Sequence, residues 1–296
     1  MKSKFFTTAA ALACLTLGTA AQSETLRLSH QWSNKDVRHQ VAQIVADEVA
    51  AADVDLDIQI FGSKSLFKPR EQYRPLSRGQ LDMTVLPLSY AGGQQPAYNL
   101  TLMPGMVKNH DHAARLSASP FMEALEEKMA DDDVMVLVHG YMAGGIVSQD
   151  KCITAPDDVQ GLQTGVLTAA NTSSSSFVSY RIYEQVKCYT PAGDVALWFM
   201  YQPLLMNKAK FDGLNADQQK ALLDASAKAE AFYLEEAKKQ DAASEKVFRD
   251  AGVEIAQMTA EDFDAWRALA QETSYKAFVA DVPDGQELLD MALAVE

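Results

Sequence analysis

Beyond Ala21 the sequence lacks any apolar run of the ~20 residues that a membrane-spanning helix needs, so we expect this part of the chain to be soluble. Basic residues are also scarce. Without Lys2 and Lys4, 24 lysines and arginines stand against 40 aspartates and glutamates, a net charge of −16. Such a surface repels phosphate backbones and anionic lipids, which disfavours nucleic-acid binding and membrane-surface binding.

The sequence also lacks the short motifs of several enzyme classes. It contains no Gly-x-Ser-x-Gly nucleophile elbow, no phosphate-binding loop and no dinucleotide fingerprint. His110, Asp111 and His112 are metal-ligand types, but they open a predicted helix, on which positions i and i+2 diverge. We therefore expect no enzymatic activity and no cofactor or metal, with a secreted hydrolase or metalloprotein as the alternative.

The first 21 residues have the order of a secretory signal peptide. Lys2 and Lys4 precede an apolar run over 5–17, and the small residues of 18–21 suit a signal peptidase. The run of about 13 apolar residues is too short to span a bilayer. We expect cleavage near Gln22 and export to the periplasm.

Only two cysteines, Cys152 and Cys188, follow the predicted signal peptide. In an oxidising compartment a disulfide between them is the leading interpretation, and it would contribute about 3–4 kcal/mol. Two buried free thiols are the alternative.

Apolar residues alternate and recur in a way that predicts an α/β fold. A strand over 25–32, a helix over 37–51 and a strand over 55–61 form a parallel βαβ unit with a right-handed crossover. The same rhythm continues with a helix over 69–78, a strand over 83–87, a helix over 111–129, a strand over 134–141 and an apolar strand over 196–201.

A long helix is predicted over 215–251, which contains neither proline nor glycine. Asn215 and Gln218 can form a capping pair at its start, and Gly252 ends it. About 36 residues span about 54 Å, more than one lobe of a chain this size. We expect the helix to run along two lobes, followed by a closing helical layer over 259–282 and 286–294.

Several segments together resemble the DctP-type solute-binding proteins of tripartite ATP-independent periplasmic (TRAP) transporters. The order of the segments is more specific than any one of them, and the match covers nearly all of the chain after residue 21. The matching segments are SHQW at 29–32, DLDIQIF at 55–61, GSKSLFKPREQ at 62–72, LSRGQLDMTV at 76–85, ITAPDDVQGL at 153–162, QTGVLTAAN at 163–171 and the long helix after Phe211.

The resemblance implies a two-lobe α/β periplasmic binding protein fold, with crossing strands and a long helix spanning both lobes. On this basis lobe I comprises 22–142 and 198–236, and lobe II comprises 143–197 and 237–296. The lobes would close on a small polar metabolite, an organic acid or a related zwitterion. The closed form, a monomer, would then dock on the membrane permease subunits.

The chain departs from the family pattern after Leu162. Family members continue with a lysine-x-arginine strand whose guanidinium binds the ligand carboxylate, whereas this chain has Gln163 and Thr164. About forty residues of the second lobe are missing relative to the family, and a second basic position used by some relatives falls near Gly145. A degenerate binding protein that has lost its ligand site is therefore a further alternative.

Five candidate ligand-binding residues fall in the first lobe. His30 and Trp32 follow the first strand, at the edge where open α/β sheets place ligands. Lys68 and Arg70 open a helix and can pair with an anion, or they are solvated. Tyr90 follows the strand over 83–87 and either walls the pocket or packs in the core.

Two further candidate ligand-binding residues lie after Leu162, where the chain departs from the family pattern. Asn171 matches the asparagine that the family aims at its ligand, with a loop cap as the alternative. Trp198 lies on the apolar strand that we expect to cross between lobes, where core packing is the alternative role.

Overall fold

The computed structural model describes residues 24–161 and 168–295. The predicted signal peptide and the pair Gln163 and Thr164 lie outside these residues. Within them, no helix combines the length and the hydropathy needed to cross a bilayer.

The described chain alternates strands and helices. The strands are β1 Glu24–Ser29, β2 Leu56–Phe61, β3 Met83–Val85, β4 Val134–Val138, β5 Tyr141–Ser148, β6 Ala169–Ser173, β7 Cys188–Thr190, β8 Trp198–Tyr201, β9 Leu204–Asn207 and β10 Glu254–Ile255. The α-helices are α1 Val37–Ala51, α2 Tyr73–Ser77, α3 His110–Ser117, α4 Pro120–Asp131, α5 Ser174–Ser179, α6 Lys208–Asp212, α7 Ala216–Asp250, α8 Ala260–Ala270, α9 Lys276–Asp281 and α10 Gly285–Leu293. Short 3-10 turns cover Pro69–Glu71, Leu88–Ala91, Pro96–Leu102, Pro156–Gly161 and Ile182–Glu184, and a π turn, Gln271–Tyr275, joins α8 to α9.

The strands form two five-stranded sheets. The first has the order β2-β1-β3-β9-β4, in which β1 pairs in parallel with both β2 and β3. The second has the order β10-β7-β5-β6, with β8 paired to β5. The predicted parallel unit of β1, α1 and β2 is present.

Two crossings connect the sheets. The chain passes from β4 to β5 through His139 and Gly140, and from β8 to β9 through Gln202 and Pro203. The crossings touch, since the Gln202 N–H donates to the Gly140 carbonyl at 2.7 Å. The crossing strands occur as predicted.

The helix α7 packs on the cores of both sheets. Its start has the predicted capping box, in which Asn215 and Gln218 exchange side-chain-to-backbone bonds. Its 35 residues extend about 52 Å. Tyr233 belongs to the core cluster of the first sheet, and Phe248 packs with Phe177 beside the second. The two-lobe α/β fold with a spanning helix is thereby confirmed.

The carboxyl-terminal helices return towards the first sheet. Leu288 and Leu289 of α10 share a core cluster with Phe121 and Leu125 of α4. The predicted bounds assign α10 to lobe II and α4 to lobe I, and these lobe boundaries stay a prediction.

Several predicted elements have different bounds. The helix expected over 111–129 is two helices, because Pro120 has no N–H for the preceding turn and starts α4 instead. The strand expected over 134–141 is broken at His139, where the chain changes sheets. The strand expected over 25–32 ends at Ser29, and the helix expected over 69–78 is a 3-10 turn followed by α2.

A disulfide joins Cys152 to Cys188, with a Cα–Cα distance of 5.1 Å. Cys188 is the first residue of β7, so the bond ties the segment after β5 to the second sheet. Two small apolar clusters of five and three buried residues pack there.

Candidate ligand-binding site

A cavity of about 140 Å³ lies where the loops after β1 and β3 face the second sheet. It is smaller than the roughly 300–1,000 Å³ typical of drug-sized ligand sites, so it suits a small solute. Its walls come from both sheets and from the second crossing. The lining residues are Gln31, Trp32, Arg38, Pro87, Tyr90, Thr172, Ser173, Ser176, Tyr180, Trp198, Met200 and Gln202.

The polar floor of the cavity is built around Arg38 in the first turn of α1. Its side chain is 2% exposed, and Nε and Nη2 donate to the two carboxylate oxygens of Asp36, both at 2.6 Å. Nη1 donates to Gln202 Oε1 at 2.9 Å, and Nη2 also donates to Ser175 Oγ at 3.1 Å. One guanidinium thus connects α1, the second crossing and α5.

Four aromatic side chains wall the cavity: Trp32, Tyr90, Tyr180 and Trp198. Among the residues that the structure describes, no two of these four rings stack on each other, and His30 stacks on Trp32 with the ring centres 6.1 Å apart. The Arg38 guanidinium lies 4.2 Å from the centre of the Trp32 ring. Tyr180 is 70% exposed, which places it at the mouth.

Some of the candidate ligand-binding residues predicted in the first lobe lie at the cavity, and others do not. Trp32 and Tyr90 line the cavity, and the Arg70 guanidinium lies 4.3 Å from the centre of the Tyr90 ring. Arg70 is exposed and forms no ion pair with a carboxylate of the described chain. Lys68 is 79% exposed, pairs with Glu71 at 3.4 Å and is not part of the lining.

His30 lies behind the lining. The residue is fully buried, its Nδ1 accepts from the Trp32 N–H at 3.2 Å, and its Nε2 is 3.0 Å from Nδ1 of His39. Burial, reinforced by His39, lowers the pKa of His30 to about 4. The ring is therefore neutral at pH 7, where it positions Trp32 and offers no positive charge to an anion.

The two candidates of the second lobe also separate. Trp198, the first residue of β8, lines the cavity. Asn171 on β6 instead borders a different hollow of about 290 Å³, together with Ile146, Leu197 and Trp266. The structure thus brings Trp32, Tyr90 and Trp198 together and places Asn171 apart from them.

Sequence reasoning missed Arg38 and Gln202. A signal for Arg38 exists, because it continues the buried stripe of Val41, Val45 and Val49 along α1. An arginine on an apolar helix face has to be paired, which makes it a candidate functional residue. Gln202 has no comparable signal, since only the crossing of the two sheets brings it to the cavity.

His110 and His112 do not converge on a common metal position. His110 Nε2 lies 2.6 Å from Asp241 Oδ2, while His112 Nδ1 accepts from the Lys108 N–H at 3.1 Å. Among the described residues, the one cluster of metal-ligand types comprises Cys152, Cys188 and Glu254, and its two sulfurs form the disulfide.

Gly145 cannot carry the basic side chain that some relatives of the resembled family have there. A Cβ atom would lie 2.2 Å from the Thr190 carbonyl oxygen and 2.6 Å from the Tyr189 ring. Replacing Gly145 with arginine should therefore lower the free energy of unfolding by at least about 1–3 kcal/mol, measured by urea denaturation. The matched control is Gly93→Arg, where a Cβ meets no atom within 4 Å. Equal stability of the two variants would contradict this packing.

The comparisons with known proteins agree on one family. The model for the bacterial extracellular solute-binding proteins of family 7, named DctP, matches residues 28–163 and 159–281. A solute-binding protein of Albidiferax ferrireducens is 31% identical, over 92% of this chain and 92% of that protein. The 2,3-diketo-L-gulonate-binding periplasmic protein of Escherichia coli is 23% identical, over 93% of this chain and 92% of that protein.

Solved structures agree with these matches. A TRAP periplasmic solute-binding protein of Rhodoferax ferrireducens with bound malonate superposes with a TM-score of 0.84 and 30% identity, covering 91% of this chain and 98% of that one. One from Roseobacter denitrificans with bound β-D-glucuronate has a TM-score of 0.80 at 19% identity, covering 92% and 100%. The second likeness is evidence for the fold alone.

Proposed function

The chain belongs to the DctP family of bacterial extracellular solute-binding proteins, and we propose that it captures a small organic acid in the cavity between its two sheets. It is a receptor of a TRAP transporter and delivers its ligand to the membrane permease subunits of that transporter. It is not an enzyme. The observation that carries the proposal is the cavity itself, whose walls come from both sheets and from a crossing between them.

The lining favours an acid that also carries a hydroxyl or an N–H group. Gln31 Oε1 is buried, lines the cavity and has no hydrogen-bond partner among the described residues. A ligand donor would satisfy it, and burying an unsatisfied polar atom otherwise costs about 1–3 kcal/mol. Arg70 adds a positive charge beside Tyr90 that no carboxylate of the described chain pairs, which favours an anion. The glucuronate bound in one solved structure and the pyroglutamate bound in another belong to this class, whereas the malonate bound in a third carries neither group.

We also propose that a segment of the second lobe is missing after Leu162. The family model matches in two parts that meet at 159–163. The alignment with the Albidiferax relative runs over 310 positions, whereas 92% of 296 residues is about 272, so about 38 positions have no counterpart here. These figures support the segment's absence, and with it the absence of the family's arginine.

The compartment follows in part from the family, which is extracellular or periplasmic. We propose that residues 1–21 are a signal peptide that is removed on export. The charged, apolar and small segments of 1–21 support this interpretation.

The proposed function predicts that small acids stabilise the purified protein. Malonate, pyroglutamate and D-glucuronate should each be tested by thermal shift and by titration calorimetry. At 100 times Kd a bound acid should add about 2.7 kcal/mol to the free energy of unfolding. A protein that unfolds cooperatively but responds to none of these acids would contradict the proposal.

Substitutions of two tryptophans test which of the two hollows binds the acid. Trp198→Leu should weaken the binding of the acid because it removes a wall of the cavity. Trp266 lines the hollow beside Asn171 and not the cavity, so Trp266→Leu should leave the affinity unchanged. If Trp266→Leu weakened binding and Trp198→Leu did not, the binding site would be the hollow beside Asn171.

A further inference from the structure

The strongest unassigned feature of the cavity is the pair of donors at its floor. Arg38 and Gln202 are 2% and 1% exposed, and both line the cavity. Neither belongs to the lysine-x-arginine strand that the family uses for a carboxylate, because that strand has no counterpart in this sequence.

The hydrogen bonds of Arg38 leave one donor unused. A guanidinium carries five N–H groups. Four are taken by the two bonds to Asp36, the bond to Gln202 and the bond to Ser175. The remaining N–H is on Nη1, the nitrogen that also contacts Gln202.

The orientation of the Gln202 amide follows from the same contact. Arginine only donates, so the glutamine atom 2.9 Å from Nη1 is the carbonyl oxygen. The NH₂ group therefore lies on the other arm of the amide. Within the described part of the chain, this NH₂ group makes no hydrogen bond.

Together these groups form a carboxylate site of a particular kind. Nη1–H of Arg38 and the NH₂ group of Gln202 are adjacent donors on one buried unit, and a carboxylate has two oxygens to accept from them. Asp36 neutralises the guanidinium at the edge opposite Nη1. The buried arginine is therefore stable when no ligand anion is bound.

We propose that Arg38 and Gln202 are the carboxylate anchor of this receptor, in place of the family's missing arginine. This inference rests on the proposed function and adds the position and chemistry of the anchor. The same guanidinium donates to Ser175 of α5, so the anchored ligand would lie beside a direct contact between α1 of the first lobe and α5 of the second. Binding and lobe closure would thus share one side chain.

Gln202→Glu tests the anchor. The new carboxylate still accepts from Arg38, so the fold should be retained, but the amide donor is lost and a negative charge faces the ligand. Affinity for malonate, pyroglutamate or D-glucuronate should fall about 10- to 100-fold by calorimetry. Gln80→Glu makes the same change on an exposed residue at the opposite end of β3 and should leave the affinity unchanged.

Arg38→Lys provides an independent variant. Lysine keeps the positive charge but loses the planar fork, so it cannot serve Asp36, Gln202 and a ligand together. We expect a loss of affinity of at least about 10-fold, with Arg249→Lys on the exposed face of α7 as the control. Unfolding midpoints of both variants separate lost binding from lost folding.

The outcomes are distinguishable. Losses in both variants and none in the controls support the anchor. If the folded variants bind an acid as tightly as the wild type, the anchor is wrong and the proposed function stands. If the wild type binds none of the three acids, the proposed function fails and the anchor fails with it.

Discussion

Replacing Arg38 with methionine should lower the free energy of unfolding by about 3–5 kcal/mol. The ion pair with Asp36 is almost fully buried, with 2% and 4% of the two side chains exposed. Methionine fills much of the space of the arginine stem but leaves the Asp36 carboxylate without its partner. Urea denaturation at pH 7 measures the loss.

A double variant tests whether the unpaired charge of Asp36 causes the loss of stability. Asparagine at position 36 has no charge and still caps a helix start, which Asp36 does by accepting from the Arg38 N–H at 3.0 Å. Asp36→Asn combined with Arg38→Met should therefore recover more than half of the lost stability. A double variant as unstable as the single one would show that packing, and not the buried charge, is responsible.

Removing the disulfide should cost about 3–4 kcal/mol. Cys152 and Cys188 are 36 residues apart, and closing a loop of that length restricts the unfolded chain by about this amount. The part of the second sheet next to the bond packs on small apolar clusters of five and three buried residues, whereas β5 and β8 also reach the larger core cluster. The variant is Cys152→Ala with Cys188→Ala, which leaves no free thiol and no buried hydroxyl.

The check is denaturation with and without reductant. Reductant should destabilise the wild type by an amount close to the mutational loss and should leave the double alanine variant unchanged. A wild type whose unfolding midpoint does not respond to full reduction would contradict the stabilising role of the bond.

The elements with strong local signals were predicted closely. The bounds of α1 were predicted exactly, and the start of α7 was recognised from Asn215 and Gln218. Capping residues and periodicity act within a few residues of each other, so one sequence contains the whole signal. The break before Pro120 was equally local and was overlooked, since a proline there starts a new helix.

The predicted residues that line the candidate cavity all lie next to the end or the start of a strand. Trp32, Tyr90 and Trp198 adjoin strand ends or starts, and all three line the cavity. Asn171 was assigned through the family pattern, from which the chain departs after Leu162; the structure places Asn171 beside a different hollow. The contact between Arg38 and Gln202 joins residues 164 positions apart, so no local pattern could reveal it.

The most direct test of this account is a crystal structure of the protein with whichever of malonate, pyroglutamate or D-glucuronate stabilises it. The account predicts a carboxylate within about 3 Å of both Arg38 Nη1 and Gln202 Nε2, beneath Trp32 and Trp198. An acid bound instead in the hollow between Asn171 and Trp266, with the floor of the cavity empty, would contradict it.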